Sequence, residues 1–358
     1  MARPTLRLEP RLEEPSRNTQ VTSVAIAVLA AAAMGALLVA VSGHDPFIAF
    51  AALYRGAFGS VRAISGTINK AVPIGLCALG IALAYRGRLW NIGAEGQLYF
   101  GAFVATGVGL AIPGGLPSAV AVPAVLAAGL VGGALWALIA ALLRAYLDVS
   151  EILSTLMLNY VAILWVNYLV VGPWADPTTF SFPYSPPIAS AAQLGKLFGS
   201  VQVGVLALIA LALLMAAFDR GARGAYELRV TGDAPRAALY GGIDSRRLAI
   251  AALAAAGALA GLAGAVEVAG STTRLQAGLS PGYGFMGIMV AWLGRGRPLL
   301  ITVCALLYAG LLNGGFSLQV SGIPPAISTI LQAILLLAVL AALTLSAYRI
   351  RLIAREAA

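Results

Sequence analysis

A chain of 358 residues that is 60% hydrophobic and only 10% charged, with a mean hydropathy of +0.90, is excluded from the ordinary soluble class, in which about a quarter of residues are charged. The net charge of +9 would suit a nucleic-acid partner, but its placement along the chain argues against one. The apolar runs Val21–Gly43, Gly96–Leu143, Ile152–Ala175, Leu197–Phe218, Leu248–Val266, Leu275–Gly294 and Pro298–Tyr348 contain no Lys, Arg, Asp or Glu.

Taken in chain order, residues 1–20 form a polar, Arg-bearing tail without a small-residue cleavage site, which predicts a cytoplasmic tail followed by an uncleaved first helix. Val21–Gly43 is the first span, because roughly 20 apolar residues cross a bilayer as helix. Asp45–Ser60 reads as a short amphipathic helix along the outer surface. Gly66–Tyr85 is a second span that tolerates Lys70. The two longest apolar runs each hold two crossings, broken at Pro113–Pro117 and between Asn313 and Pro325. The expected fold is an all-α polytopic membrane protein of ten transmembrane helices.

With the N-terminus inside, eighteen of the 23 basic residues fall on inner segments and five, Arg55, Arg62, Lys70, Lys196 and Arg274, on outer ones. That asymmetry is the positive-inside signature; it places both termini in the cytoplasm and makes the bilayer, not nucleic acid, the partner of the charge. The transmembrane domain then covers 21–348. It has an outer loop at 172–200, an inner loop at 219–247 and a cytoplasmic tail at 349–358. The outer loop, rich in Pro, Ser and aromatics, suits either an external partner or interfacial anchoring. Spans 2–5 start from outside and spans 7–10 from inside. In each set the first helix is followed by a glycine-rich polar interruption, Arg86–Gly96 and Glu267–Gly284. This is the pattern of an inverted repeat, in which broken helices meet at the substrate path.

The polar residues inside the apolar runs are the site candidates. A carboxylate at mid-membrane costs about 2.5–3.5 kcal/mol on insertion scales and usually faces a cavity or a partner. Asn91, Glu95 and Gln97 sit where Gly93 and Gly96 loosen a helix. Two readings stand for Glu95: it lines a path, or it lies at the inner surface beside Arg86 and Arg88 as a helix-cap neighbour. Glu267 has Arg274 as its first basic residue downstream and a possible ion-pair partner. Tyr283 and Phe285, in a stretch of three glycines and a proline, offer rings to a planar ligand; Tyr283 serves equally as an interfacial anchor. Asn159 is a lone polar group suited to a helix–helix hydrogen bond or to a ligand. On the inner loop, Asp233 is an N-cap, Pro235 suits a first turn and Gly241 can end a helix. A short helix with small residues therefore stands there among arginines, either a surface connection or a docking element.

No GxxxxGK[ST] phosphate loop occurs, and the only histidine is His44. Hence no catalytic residue, metal site or cofactor of the chain itself is expected. Cys77 and Cys304 read as small buried hydrophobes.

Four blocks, in one order from about residue 70 to 300, resemble the permease subunits of bacterial ABC importers for nucleosides and simple sugars, relatives of the ribose and branched-chain amino-acid permeases. They are Leu89-Trp-Asn-Ile-Gly-Ala-Glu-Gly-Gln97 (typically Phe at position 90), Ser150 to Tyr160, Gly232-Asp-Ala-Pro-Arg-Ala-Ala238 with Gly241-Gly-Ile243, and Ser280 to Ile288 through Leu293-Gly-Arg295. The first is the most specific. The resemblance implies a multi-pass subunit of the bacterial inner membrane that pairs with a second permease, identical or homologous. It implies a cytoplasmic ATPase that uses ATP and Mg, and an extracytoplasmic binding protein that delivers cargo, such as a purine nucleoside or a simple sugar. It makes Asp233, Pro235, Arg236, Ala237, Ala238 and Gly241 the coupling helix that docks in the ATPase. Met286, Met289 and Trp292 depart from the smaller aliphatic residues expected there. The rival reading is a proton-coupled secondary transporter with Glu95 or Glu267 as the proton carrier.

Overall fold

The computed structural model describes residues 5–10, 17–113, 115–179, 182–346 and 348–353; the rest of the tails expected at 1–20 and 349–358 lies outside the described residues. A helix lies at each of the ten expected spans: α1 (Arg17–Val41), α3 (Val61–Tyr85), α4 (Ala94–Ala111), α5 (Ser118–Leu147), α6 (Glu151–Val171), α7 (Gly204–Gly221), α10 (Ser245–Val266), α11 (Tyr283–Leu293), α12 (Pro298–Val320) and α13 (Pro325–Ser346). Three others connect them: α2 (Pro46–Phe58), α8 (Arg223–Asp233) and α9 (Pro235–Tyr240). Among the described residues, six helices are long and apolar enough to cross a membrane. The pair α1 and α2, bent by 118° at its break, adds a seventh if counted as one span.

The chain divides into two compact units, with one boundary after Gly59 and the other inside α12. In the unit spanning 60–310, α10 has its largest contact with α5 and packs also on α4 and α3, while α11 packs on α3. Glycine makes this possible. Gly129 and Gly133 of α5 face Gly257 and Gly261 of α10, so a Cβ on Gly261 would sit 2.7 Å from the Gly133 Cα. Both pairs have the four-residue spacing that lets membrane helices approach backbone to backbone. In the same way, a Cβ on Gly80 of α3 would meet the Ala256 carbonyl of α10 at 2.7 Å.

In the other unit α1 runs along α13, and Val39, Ala49, Leu318, Ile323, Ile327 and Leu331 form its core. Asp45 caps α2 by accepting the Phe47 N–H at 2.7 Å, so the expected short helix after the first span is present. Strand β1 (Thr5–Pro10) pairs antiparallel with the strand Tyr348–Ile353, placing Leu6 opposite Leu352 and Leu8 opposite Ile350. The two tails therefore form a two-stranded ladder over these residues.

Candidate functional site: two helix breaks and the loops that hold them

The first break separates α3 from α4. Its turn carries Arg88 at a φ of +54°, and α4 starts after Gly93 with no side-chain cap of its own. Exposed N–H groups at such a start must find partners, and buried amides supply them. Asn91 and Gln97 exchange bonds of 2.8 and 2.9 Å, and Asn91 Oδ1 also accepts the Gly93 N–H at 3.1 Å. Asn159, reaching across from α6, accepts the Gly96 N–H at 2.7 Å and donates to the Ile92 carbonyl at 2.9 Å. Asn159 thus makes the helix–helix bond that was one of its two readings. Asn91, Gln97 and Asn159 are all buried.

Glu95 is buried too, and not beside Arg86 or Arg88. Arg86 pairs with Asp219 at 2.5 Å and reaches the Gly296 carbonyl at 3.2 Å; burial lowers its pKa and the Asp219 carboxylate opposes that shift. Arg88 pairs with Asp233 at 3.0 Å. Glu95 instead accepts the Gly284 N–H at 2.7 Å, in the first turn of α11. It is a helix cap, but for the opposite break. The two helix starts touch there, since a Cβ on Gly284 would lie 2.6 Å from the Glu95 Cα. Tyr99 adds a second tie, its hydroxyl accepting the Ser280 N–H at 3.3 Å and lying 3.4 Å from the Ser280 carbonyl.

The second break follows α10, which unwinds into a π-helical turn, Glu267–Thr272. Thr273, Gly278 and Gly282 then carry positive φ before α11 begins at Tyr283. Glu267 is buried, with Ser271 as hydrogen-bond partner and the Lys70 charge nearby. Arg274, its possible partner in the sequence, lies instead 3.9 Å from Asp176 and over the Tyr184 ring at 5.5 Å. Thr178 holds the Asp176 carboxyl below the usual range through its hydroxyl and N–H. Tyr283 is buried at 4% exposure, whereas the neighbouring Phe285 is 37% exposed. Trp90 and Trp292 lie against each other. Their rings stack at 5.6 Å, and both touch Tyr85.

On the inner loop the expected caps are partly redrawn. Asp233 ends α8 and gives its carboxylate to Arg88, so it is not the N-cap of α9. Ala234 holds that position without a side-chain bond. Pro235 opens α9 and Gly241 follows it as expected. Pro235, Arg236 and Ala237 are exposed, and Ala238 is fully buried. Leu239 and Tyr240, passed over in the sequence, are 75% and 91% exposed. Gly232 fits so closely under the first break that a Cβ there would meet the Arg86 carbonyl at 2.7 Å. A cavity of about 560 Å³, lined in part by Gly87, Leu89, Thr231 and Pro235, leaves room beside this contact.

Apolar helices of membrane-spanning length, with two breaks that meet and a short exposed helix on the charged loop, are the features of a multi-pass membrane protein. The chain belongs to the family described as branched-chain amino acid transport system / permease component, whose model matches residues 63–340. It is similar to a glucose ABC transporter permease of Haloferax volcanii, at 34% identity over 96% of this chain and 93% of the relative. It is also similar to a guanosine ABC transporter permease of Bacillus subtilis, at 32% over 92% and 94%. A nucleoside ABC transporter permease of Lactococcus lactis is 31% identical over 86% and 87%. No solved structure matches it. The chain is therefore a multi-pass protein of the inner membrane and a transport component, not an enzyme; ABC permeases of this family work with an ATPase and a binding protein.

Proposed function

We propose that this chain is the membrane subunit of an ABC importer that carries nucleosides, or simple sugars, from a binding protein into the cytoplasm. The observation that carries this reading is the Glu95–Gly284 bond, which joins the two broken helices at their starts. Two helix N-termini facing one point are the arrangement from which transporters build a solute path. The family relatives named for guanosine, nucleosides and glucose support the cargo class.

In this reading ten helices cross the membrane, with both ends inside. The basic asymmetry supports that orientation, as does the pairing of the two tails, which lie side by side as strands. The spans form a domain over 21–348 with a coupling loop at 219–247 and an outer loop at 172–200. ATP and Mg act only in the partner ATPase, and a second permease, a copy or a homologue, completes the path. Pro235, Arg236, Ala237, Leu239 and Tyr240 face the ATPase, and Asp233 and Gly232 pass its motion to the first break. Phe285 meets the cargo; Asn91, Glu95, Gln97, Asn159, Glu267 and Tyr283 hold the breaks.

The test is uptake into proteoliposomes holding the permease, the ATPase and the binding protein. The reading expects ATP-dependent accumulation of labelled guanosine or glucose that stops without either partner. Uptake by the chain alone, driven by a pH gradient, would establish the proton-coupled alternative instead.

A further inference from the structure

The outer loop is joined to the second break by its backbone. Ser185 donates its N–H to the Leu275 carbonyl at 2.8 Å, and its Oγ accepts the Leu275 N–H at 2.9 Å. The Ile188 N–H reaches the Thr273 carbonyl at 2.9 Å, the Leu194 N–H reaches the Ala269 carbonyl at 2.8 Å, and the Ala277 N–H reaches the Pro183 carbonyl at 3.2 Å. Tyr184 and Gln276 form an antiparallel bridge. Ser185, Ile188, Leu194 and Leu275 are buried, while Phe182, Leu197 and Phe198, just beyond the strapped stretch, are more than half exposed. A segment whose one regular element is a single 3-10 turn, Ser190–Ala192, thus has an inner side bonded to the break and exposed apolar residues just beyond its ends. One further bond, from the Ala189 N–H to the Gly109 carbonyl at 3.1 Å, reaches the far end of α4.

We propose that residues 183–194 are a strap that carries the docking of the extracytoplasmic binding protein to the second break, moving with it as one body. This rests on the importer reading above. Mutual satisfaction of two irregular backbones would by itself explain the bonds, but not their reach. They run along the break from Ala269 to Ala277, the stretch between the buried Glu267 and the Ser280 that Tyr99 holds. A push on the strap therefore arrives at the point where the two broken helices meet. It is the outer counterpart of the contact that Gly232 and Asp233 make with the first break. Ser185, which gives and takes a bond on Leu275, is the positioning residue of this strap.

The experiment uses the assembled complex of permease, ATPase and binding protein, and reads ATP hydrolysis with and without cargo-loaded binding protein. The unaltered complex comes first: if loaded binding protein does not stimulate it, the importer reading itself has failed. Given stimulation, two glycines inserted after Pro187 break the register between the Ser185 and Ile188 contacts. Stimulation should then fall about tenfold, the size of a typical coupling between sites, while basal hydrolysis stays. Ser185→Ala should give a smaller fall in stimulation, again with basal hydrolysis intact, and serves if the insertion does not assemble. The pair Tyr184→Cys and Gln276→Cys, oxidised to a cross-link, should be stimulated as well as its reduced form, because strap and break need not part. Full stimulation in the insertion and in Ser185→Ala, or stimulation lost on oxidation and regained on reduction, would overturn the proposal.

Discussion

The two breaks are closed by different means. Three amide side chains on α4, α6 and the turn before α4, with every hydrogen bond inside the bundle, close the first. Around the second it is chiefly the backbone of another segment, the outer loop, that supplies the bonds. The first is packed against the inner loop through Gly232 and Arg88; the second is bonded to the outer one. One interruption is therefore tied to the 219–247 loop and the other to the 172–200 loop, and they meet at Glu95; in the proposed orientation these loops lie on opposite sides of the membrane. The difference also says how each can fail, since side-chain clamps are lost by single substitutions and a backbone ladder mainly by changes of register.

The largest effect is expected where the two breaks touch. Gly284→Val would drive a branched side chain into the Glu95 backbone, and overpacking of a close contact costs about 1–3 kcal/mol or more. The purified chain should melt markedly earlier in detergent and transport should be lost. Next, Asn159→Ala leaves the Gly96 N–H and the Ile92 carbonyl buried and unpaired, at about 1–3 kcal/mol for each unsatisfied group. Thermal unfolding should report that cost, and an equal loss should not follow from Ser185→Ala. That contrast tests whether the amide clamp holds the first break more tightly than the Ser185 side chain holds the outer loop on the second. Glu95→Gln keeps a carbonyl oxygen for the Gly284 N–H and should retain most of the uptake, whereas Glu95→Ala should not. Loss of uptake in both would point to a carboxylate that carries a proton. Leu239→Ala with Tyr240→Ala removes two exposed side chains that support nothing inside. Stability should be unchanged and cargo-stimulated ATP hydrolysis about tenfold lower, since interface anchors are worth about 1.4 kcal/mol or more. The smallest effect belongs to Arg88→Ala. Both ends of its pair with Asp233 are two-thirds exposed, so the change should cost less than about 1 kcal/mol in melting experiments and fade as salt is added.

Charge-free runs made the helices legible, and glycine-rich polar stretches made both breaks legible. Helix and break are local properties, written in composition and spacing. What stood opposite what was not local. The carboxylate of Glu95 was balanced between two readings because its real partner, Gly284, lies 189 residues away. Arg274 looked like a partner for Glu267 on proximity in the chain, yet the π-helical turn at Glu267–Thr272 and the positive φ of Thr273 carry it away toward Asp176. Asp233 has the chemistry of an N-cap, but α8 runs on through it and Arg88 takes its carboxylate. Signals for two features were in plain view. The spacing of Gly129 with Gly133 and of Gly257 with Gly261 marks a close helix pair. The alternation in Leu6–Leu8 and in Ile350–Leu352 marks strands. Both were passed over against a background of alanine and of short charged tails.

The central claim is that each break follows one side of the membrane and that Glu95 joins them. Hydrogen–deuterium exchange of the assembled complex tests it most directly, with the binding protein or ATP added in turn. In the unaltered complex either addition should change exchange in both 86–97 and 269–284. In Glu95→Ala, ATP should change only the first of these segments and the binding protein only the second. If each addition still reaches both segments in Glu95→Ala, the breaks communicate by another route and the account of Glu95 is wrong.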